Sequence, residues 1–279
     1  MKNILCVGDW GYEKHLRLKK FLNDLYIEEI FCLGDNFYPN GIQSKDDHQW
    51  ENTLDFLFKK NIKKYVCLGN HDYIGDVNLQ MDVRKKSNWN LPFFFHDRVD
   101  NEYDLHIFFI DSQLFAPDIT IRILKQCFIR DDRFEKYLKY VNMYQQKQLE
   151  WLREKLESSK SKFKIVCGHY PVYSNGPHEV SRMLQNALIP LFEEFNVDLY
   201  LSGHDHNVQC IQKGCTTYII SGGVHSSGYE IKQIRERGTQ FWSNDSGVIV
   251  LQTDGTTICV NYKSLESLEE KTLKIIIKQ

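Results

Sequence analysis

The sequence predicts an α/β (α+β) fold, because short apolar runs alternate with helix-like segments along the chain. Five apolar runs each end at a glycine, at residues 4–8, 30–34, 65–69, 163–168 and 199–203. Runs of this length indicate strands buried on both faces, and the glycine marks a sharp exit from each strand. Segments with helical periodicity separate most of them, so the order predicts βαβ units and a sheet that is mostly parallel in the first half of the chain.

The other elements follow from local signals. Helices are predicted at residues 14–26, 46–60, 145–158 and 180–195, and a pair of strands at 93–95 and 103–111. Two hairpins are predicted, one joining 208–212 to 216–221 around Lys213-Gly214 and one joining 247–253 to 256–262 around Asp254-Gly255. The stretch 111–145 is charged and aperiodic at its start, which favours an exposed loop followed by a helix.

Composition is that of a globular protein, and we expect one domain over residues 1–279. The net charge of −2 predicts no nucleic-acid partner, and no run reaches membrane length. The apolar run after Met1 is too short for a signal peptide, so we expect a cytoplasmic protein, or a secreted or lysosomal one if the chain is a processed form. We also expect a monomer with reduced cysteines, although Cys210 and Cys215 could bridge their hairpin.

Side chains able to bind a metal follow all five strand exits. They are Asp9, Asp35, Asn70, His169 and the pair His204 and His206. Each alone is best explained as a turn or capping residue, or as a surface histidine. Ligands of open α/β sheets bind beyond the carboxyl ends of the strands, so five such exits predict one shared site.

These donors suit a pair of metal ions. Six carboxylate, amide and imidazole groups are too many for one ion, and two ions are the general clamp for phosphate ester hydrolysis. Tyr38 follows Asp35 by three positions, and its phenolate would favour a trivalent ion, although a packed turn aromatic is the simpler interpretation. One predicted group is suited to Fe(III) and comprises Asp9, Asp35, Tyr38 and His206. The other is suited to a divalent ion and comprises Asp35, Asn70, His169 and His204.

Five motifs carry a resemblance to a known family. They are Asp9-Trp10-Gly11, Gly34-Asp35-Asn36-Phe37-Tyr38, Gly69-Asn70-His71-Asp72, Val166-Cys167-Gly168-His169 and Gly203-His204-Asp205-His206. In this order they resemble the calcineurin-like metallophosphoesterase superfamily, and within it the small, mammalian-type purple acid phosphatases, also called tartrate-resistant acid phosphatases. Gly11, where most of the superfamily has histidine, and Tyr38 are typical of the purple branch. The similarity extends from about Ile4 to Tyr262.

The resemblance implies a two-sheet β-sandwich flanked by helices, the metallophosphoesterase fold. It also implies an Fe(III) ion with a divalent Fe, Zn or Mn ion, bridged by Asp35. The implied reaction is hydrolysis of phosphate monoesters at acidic pH by a metal-bound hydroxide, on a small phosphate ester or a phosphoprotein. His71, beside Asn70, is placed to contact the phosphate or to protonate the leaving group.

The chain departs from this family in two places. The family has a second active-site histidine just before a Gly-Pro pair, where this chain has Asn175, while His178 follows the proline. His178 is therefore either a displaced catalytic residue or a plain loop histidine. The family's regulatory loop corresponds to 111–145, where Arg130, Arg133, Lys136 and Lys139 form either a protease-sensitive segment or a solvated helix face.

Two other functions compete with a monoesterase. One is a phosphodiesterase or nucleotide hydrolase of the same superfamily, against which Gly11 and Tyr38 argue. The other is a metal-free scaffold protein, which should have lost donor residues that are all present in this chain.

Overall fold

The computed structural model describes residues 1–11, 16–51, 61–82, 88–127, 132–224, 230–267 and 269–278. Two seven-stranded sheets pack face to face, and helices cover their outer faces. The strands are β1 Lys2–Val7, β2 Glu29–Leu33, β3 Lys63–Cys67, β4 Trp89–Asn90, β5 His96–Asp100, β6 Leu105–Phe109, β7 Phe163–Cys167, β8 Leu199–Ser202, β9 Val208–Lys213, β10 Thr216–Ser221, β11 Thr239–Ser243, β12 Gly247–Thr253, β13 Thr257–Ser264 and β14 Glu270–Ile277. The α-helices are α1 Leu16–Asp24, α2 Val77–Asp82, α3 Ser112–Phe115, α4 Pro117–Cys127, α5 Asp132–Ser158 and α6 Arg182–Glu194.

The first sheet has the strand order β14-β13-β12-β1-β2-β3-β4. Strands β1 to β4 run parallel, with Cys6 opposite Phe31 and Leu33 opposite Cys67, whereas β12 to β14 are antiparallel to their neighbours. The second sheet has the order β11-β9-β10-β8-β7-β6-β5, with a parallel centre from β6 to β8 and from β8 to β10. Parallel strands place their carboxyl ends at one edge, which is where a shared site can form.

The core between the sheets is built from alternate residues of the central strands. Ile4 and Cys6 of β1 face inward with Phe31 of β2 and Phe109 of β6, whose rings meet edge to face at 5.2 Å. The intervening residues, such as Leu5 and Val7, pack outward under α1. Because both faces of these strands are covered, their sequences are continuously apolar rather than alternating.

The predicted two-sheet, helix-flanked fold is confirmed, as are the five exit strands and both hairpins. The strand predicted at 93–95 is wrong. Phe93 and Phe94 pack their rings against Tyr144 of α5, and the strand that pairs with β6 begins at His96. Most of the helix predicted at 46–60 and the start of the one at 14–26 lie outside the described residues.

The exposed loop predicted from Asp111 is also wrong. Asp111, Ser112 and Gln113 are fully buried, and α3 and α4 follow directly. The Asp111 backbone is satisfied internally, since Gln148 accepts from its amide at 2.7 Å and donates to its carbonyl at 3.0 Å. Arg133, Lys136 and Lys139 lie on α5 rather than on a loop, which favours the helix-face interpretation, and Arg130 lies outside the described residues.

The cysteines whose state is described are free, including Cys210 and Cys215, so the hairpin carries no disulfide. Among the described helices, none combines the length and the apolar character needed to cross a bilayer.

Candidate metal centre

The carboxyl ends of the parallel strands of the two sheets meet at one place, and all seven predicted donors lie there. Backbone hydrogen bonds join the strand exits: the Gly8 amide donates to the Ser221 carbonyl of the other sheet at 2.8 Å, and within the second sheet the Gly203 amide donates to the His169 carbonyl at 3.0 Å. Asp72 ties the second exit to the third, since its carboxylate accepts from the amides of Asn36 and Gly69. The site is therefore held by backbone contacts and does not depend on loop packing alone.

Three donor residues have left-handed backbone conformations that side chains other than glycine rarely adopt. The φ angles are 58° for Asp9, 54° for Asp35 and 71° for His204. Such a conformation costs about 1–3 kcal/mol and persists where the surrounding structure requires it. Here it turns each side chain back over the end of its own strand, and glycine precedes all three residues. This strain is a cost in stability that the site geometry imposes.

The first group of donors surrounds the Tyr38 hydroxyl. That oxygen lies 2.7 Å from Oδ2 of Asp35, 3.0 Å from Oδ1 of Asp9 and 3.3 Å from Nε2 of His206. Burial and the two carboxylates raise the pKa of Tyr38 well above 10. With only the two carboxylates as neighbouring charges, the Tyr38 hydroxyl is therefore protonated. A phenolate at this position requires a neighbouring cation of high charge.

The second group converges on His169. Its Nε2 lies 3.1 Å from Oδ1 of Asn70 and 3.5 Å from Oδ1 of Asp35. The other ring nitrogen, Nδ1, is 2.8 Å from the carbonyl oxygen of Leu33 and must donate to it. With Nδ1 donating to Leu33, Nε2 faces two oxygen atoms, which is the arrangement of a metal ligand with an oriented tautomer.

His204 completes this second group. Burial lowers the pKa of His204 well below 6.5, so the imidazole is neutral, as a ligand must be. Its backbone amide donates to Oδ2 of Asp9 at 2.8 Å, and its ring centroid lies 5.2 Å from that of His169. Asp35 contacts members of both groups, which is the position of a bridging carboxylate.

The charges of the site fit a pair of cations. Asp9 and Asp35 are almost fully buried, and within the described part of the chain no lysine or arginine forms an ion pair with either. Burial alone would raise the pKa of Asp9, but hydrogen bonding to His206 and the charge of His169 outweigh it, and the pKa lies below 3.8. Ligand atoms of Asp9, Asp35 and His169 all lie within 4.8 Å of one another. Buried anionic oxygens with facing imidazole nitrogens are what hard and borderline ions bind.

An open cavity of about 480 Å³ lies over the donors and is lined by His71 and His178. His71 Nδ1 donates to the carbonyl of Pro39 at 2.6 Å, and its Nε2 lies 4.0 Å from Oδ2 of Asp35. His178 Nδ1 lies 2.7 Å from Oδ1 of the buried Asp205, and its ring is 4.3 Å from that of His204. Both predicted catalytic histidines therefore face the cavity.

Asn175 does not replace the family's second histidine. It is buried away from the cavity, where its side chain bonds to Gln209 and Thr239 and accepts from the amides of Arg235 and Glu236. Asn175 thus has a structural role, and His178 is the residue of this loop that enters the site. His225 and His15 lie outside the described residues.

Sequence reasoning missed one wall of the cavity. Four residues of α4 line it, namely Ile119, Arg122, Ile123 and Gln126. Their spacing of i, i+3, i+4 and i+7 is the signal that could have revealed a helix face. The polar residues just before α4 obscured it, because they indicated an exposed loop.

The model of the calcineurin-like phosphoesterase family matches residues 2–208. The chain belongs to this family. It is 31% identical over 240 residues to tartrate-resistant acid phosphatase type 5 of Oryctolagus cuniculus, covering 78% of this chain and 71% of the relative. It is 27% identical over 259 residues to purple acid phosphatase 3 of Arabidopsis thaliana, covering 88% and 69%. Among solved structures, "GAP50 the anchor in the inner membrane complex of Plasmodium" superposes with a TM-score of 0.76 at 24% identity, covering all of this chain and 89% of that one.

The predicted resemblance to the purple acid phosphatase branch is thereby confirmed. Family membership and the buried donor cluster support a dinuclear-metal phosphatase of the phosphoesterase class. The family typically pairs iron with a second metal.

Proposed function

We propose that the chain hydrolyses phosphate monoesters, with an optimum at acidic pH, using Fe(III) and a divalent Fe, Zn or Mn ion. The observation that carries this proposal is the position of the Tyr38 hydroxyl, within 3.3 Å of donor atoms from Asp9, Asp35 and His206. A phenol placed among two carboxylates and an imidazole supplies the anionic set that a trivalent ion prefers. The same seven residues predicted from the sequence are the proposed ligands, with Asp35 shared between the two ions.

When bound, such a metal pair supplies Lewis acidity toward the phosphate oxygens and a nucleophile at neutral or acidic pH. The protein's part is to fix the donors and to orient the ester. The Leu33 carbonyl holds the His169 ring, and the amide of His71 donates to Oδ1 of Asp35 at 2.8 Å. The His169 ring and the Asp35 carboxylate are therefore oriented before substrate enters. Preorganised groups of this kind need no rearrangement during the reaction.

The two cavity histidines have proposed roles in handling the ester. The His71 ring packs 4.3 Å from Tyr38 and reaches the cavity beside Asn70, which suits contact with the phosphate. Asp205 holds His178 through Nδ1, which presents the opposite edge of the ring to the cavity, where the leaving group would depart. An acid positioned in this way contributes about 10²–10⁴-fold to a rate.

A substrate panel tests the proposal. Purified protein with a measured metal content is assayed with p-nitrophenyl phosphate and with bis(p-nitrophenyl) phosphate across the acidic to alkaline range. The proposal expects the monoester to be hydrolysed with the higher kcat/KM and the rate to fall toward alkaline pH. Preferential hydrolysis of the diester would contradict it and would establish the phosphodiesterase alternative.

A metal-free scaffold is the second alternative. The Plasmodium neighbour is described as an anchor, and at 24% identity its likeness shows the shared fold alone. The converged donors favour the enzyme, because a scaffold has no need of buried carboxylates whose backbones are strained. Absence of bound metal after purification and after reconstitution with iron would support the scaffold instead.

We propose further that the protein acts as a monomer without nucleic-acid or membrane partners, taking a small ester or a phosphoprotein as substrate. The proposed location is the cytoplasm, or the secretory or lysosomal pathway for a processed form. The proposed lack of a nucleic-acid partner follows from the net charge of −2. Cell fractionation tests the location, and size-exclusion chromatography tests the oligomeric state.

A further inference from the structure

Residues of α4 form one wall of the cavity that donor residues also line. Ile119, Arg122, Ile123 and Gln126 occupy a single face of this helix, and Pro177 and Glu179 form the rim beside them. The wall combines apolar and charged surface. Ile119 and Ile123 also pack into the core around Tyr170, and Arg122 is the one lysine or arginine among the described residues that line the cavity.

The position of α4 is fixed relative to the donors. Thr120 Oγ1 lies 3.1 Å from the Tyr170 hydroxyl, and the Tyr170 ring lies 4.6 Å from that of His204. Ser181 donates to Oδ1 of Asp118 at 3.0 Å, which joins the first turn of α4 to the segment that carries His178. The backbone of α4 is thus held in a set position relative to His204 and to the segment that carries His178.

The charge of Arg122 is available to a ligand. Its guanidinium pairs with Glu179 at 3.0 Å, but the two side chains are 53% and 71% exposed. Exposed ion pairs contribute only about 0–1 kcal/mol, because water and salt screen them. A second anionic group on a substrate can therefore exchange with Glu179 and gain the bidentate contact that arginine offers.

We propose that α4 selects monoesters whose leaving group has an apolar part next to the phosphate and a second negative charge beyond it, with Arg122 as the specificity-determining residue. This rests on the proposed function. The apolar part packs on Ile119 and Ile123, and the second anion replaces Glu179 at Arg122. A sugar monophosphate offers neither feature and is disfavoured.

The test compares two substrates that differ only in that charge: 4-(2-carboxyethyl)phenyl phosphate and its primary amide. The reacting bond is the same in both, so the ratio of their kcat/KM values isolates the remote charge. The metal-loaded protein is assayed as wild type, Arg122→Gln, Glu179→Gln and Arg153→Gln. The last is the matched control, because Arg153 forms an exposed pair with Glu194 at 2.7 Å on another part of the surface. Binding of the matching phosphonates, measured calorimetrically, supplies a readout independent of turnover.

We expect wild type to prefer the acid by about fivefold, a value set by a single exposed charge pair. Arg122→Gln should remove the preference, Glu179→Gln should increase it by removing the competitor, and Arg153→Gln should leave it unchanged. Salt should weaken the preference, since the Debye length shortens. Equal ratios in wild type and Arg122→Gln, in both turnover and phosphonate binding, would overturn the inference.

Failure of the proposed function looks different. If neither ester is hydrolysed, the monoesterase proposal fails, and the phosphonate affinities still decide the role of Arg122. If both esters are hydrolysed with no discrimination by charge, only the inference about α4 fails.

Discussion

Nδ1 of His178 lies 2.7 Å from Oδ1 of Asp205, inside the tripeptide that also supplies His204 and His206. The contact explains how His178, the residue directly after the Gly176-Pro177 pair of the loop, reaches the site. Asp205 is fully buried and also accepts from Ser174, so the imidazole is held by a fixed partner.

Replacing His178 should slow esters with poor leaving groups most. In His178→Gln we expect the rate with phenyl phosphate to fall about 10²-fold and the rate with p-nitrophenyl phosphate to fall much less, because a good leaving group needs no proton. In a plot of kcat against pH, the decrease on the alkaline side should become less steep. Steady-state kinetics across pH check this, with His71→Ala as the comparison. An unchanged profile in His178→Gln would dismiss His178 and leave His71 as the candidate acid.

Asp35→Asn should remove metal and activity together. The carboxylate lies between the two donor groups, and an amide cannot bridge two cations with negative charge. We expect kcat/KM to fall by at least about 10³-fold, as for a group that acts as part of a unit. Elemental analysis gives the metal content, and Asp245→Asn, at an exposed position, is the control. A fully metallated and active Asp35→Asn variant would refute the bridging role.

Gly34→Ala should disturb the second group of donors in two ways, by straining the backbone at residue 34 and by a steric clash with His169. Gly34 has a φ of 88°, and an added Cβ would lie 2.6 Å from Nδ1 of His169. We expect the divalent ion to be lost and the free energy of unfolding to fall by about 2 kcal/mol or more. Gly214→Ala is the matched control, since Gly214 has a φ of 55° with nothing within 4 Å of an added Cβ. It should cost only about 1 kcal/mol and keep both metals. Equal metal content in the two variants would contradict the role given to Gly34.

His96 should make the fold less stable in acid. Burial lowers the pKa of His96 to about 4. The unfolded chain takes up this proton below about pH 6.5, while the folded chain does so only near pH 4, so protonation favours unfolding as pH falls through that window. Relative to His96→Gln, wild type should lose up to about 2.5 kcal/mol of unfolding free energy between pH 7 and pH 4.5.

Urea unfolding at several pH values measures this difference. The His48→Gln variant is the control, since the His48 side chain is 74% exposed. Parallel pH dependences for wild type and His96→Gln would show that His96 does not set the acid sensitivity of the fold.

The strands and the donors could be predicted because each signal is local. The run at residues 30–33 is apolar throughout since both of its faces are buried, and Gly34 followed by Asp35 marks the exit. The left-handed backbones of Asp9 and Asp35 could not be predicted, because aspartate in a turn usually has an ordinary conformation. They arise from the tertiary contacts that close the site.

The region after β6 was misjudged for a physical reason. Asp111 and Gln113 are polar, and polar residues indicate exposure unless distant partners satisfy them. The Asp111 carboxylate accepts from the distant Tyr73 hydroxyl, and two residues of α5, Gln148 and Tyr137, bond to the backbone of Asp111 and to the Gln113 carbonyl. The cavity wall of α4 was missed as a consequence.

The visible absorption spectrum of the purified protein, read with its iron content, tests the central claim most directly. The seven donors are proposed to hold Fe(III) beside the Tyr38 oxygen, which predicts a charge-transfer band that disappears in Tyr38→Phe while the fold is kept. A colourless, iron-free preparation that hydrolyses phosphate monoesters at full rate would contradict the account.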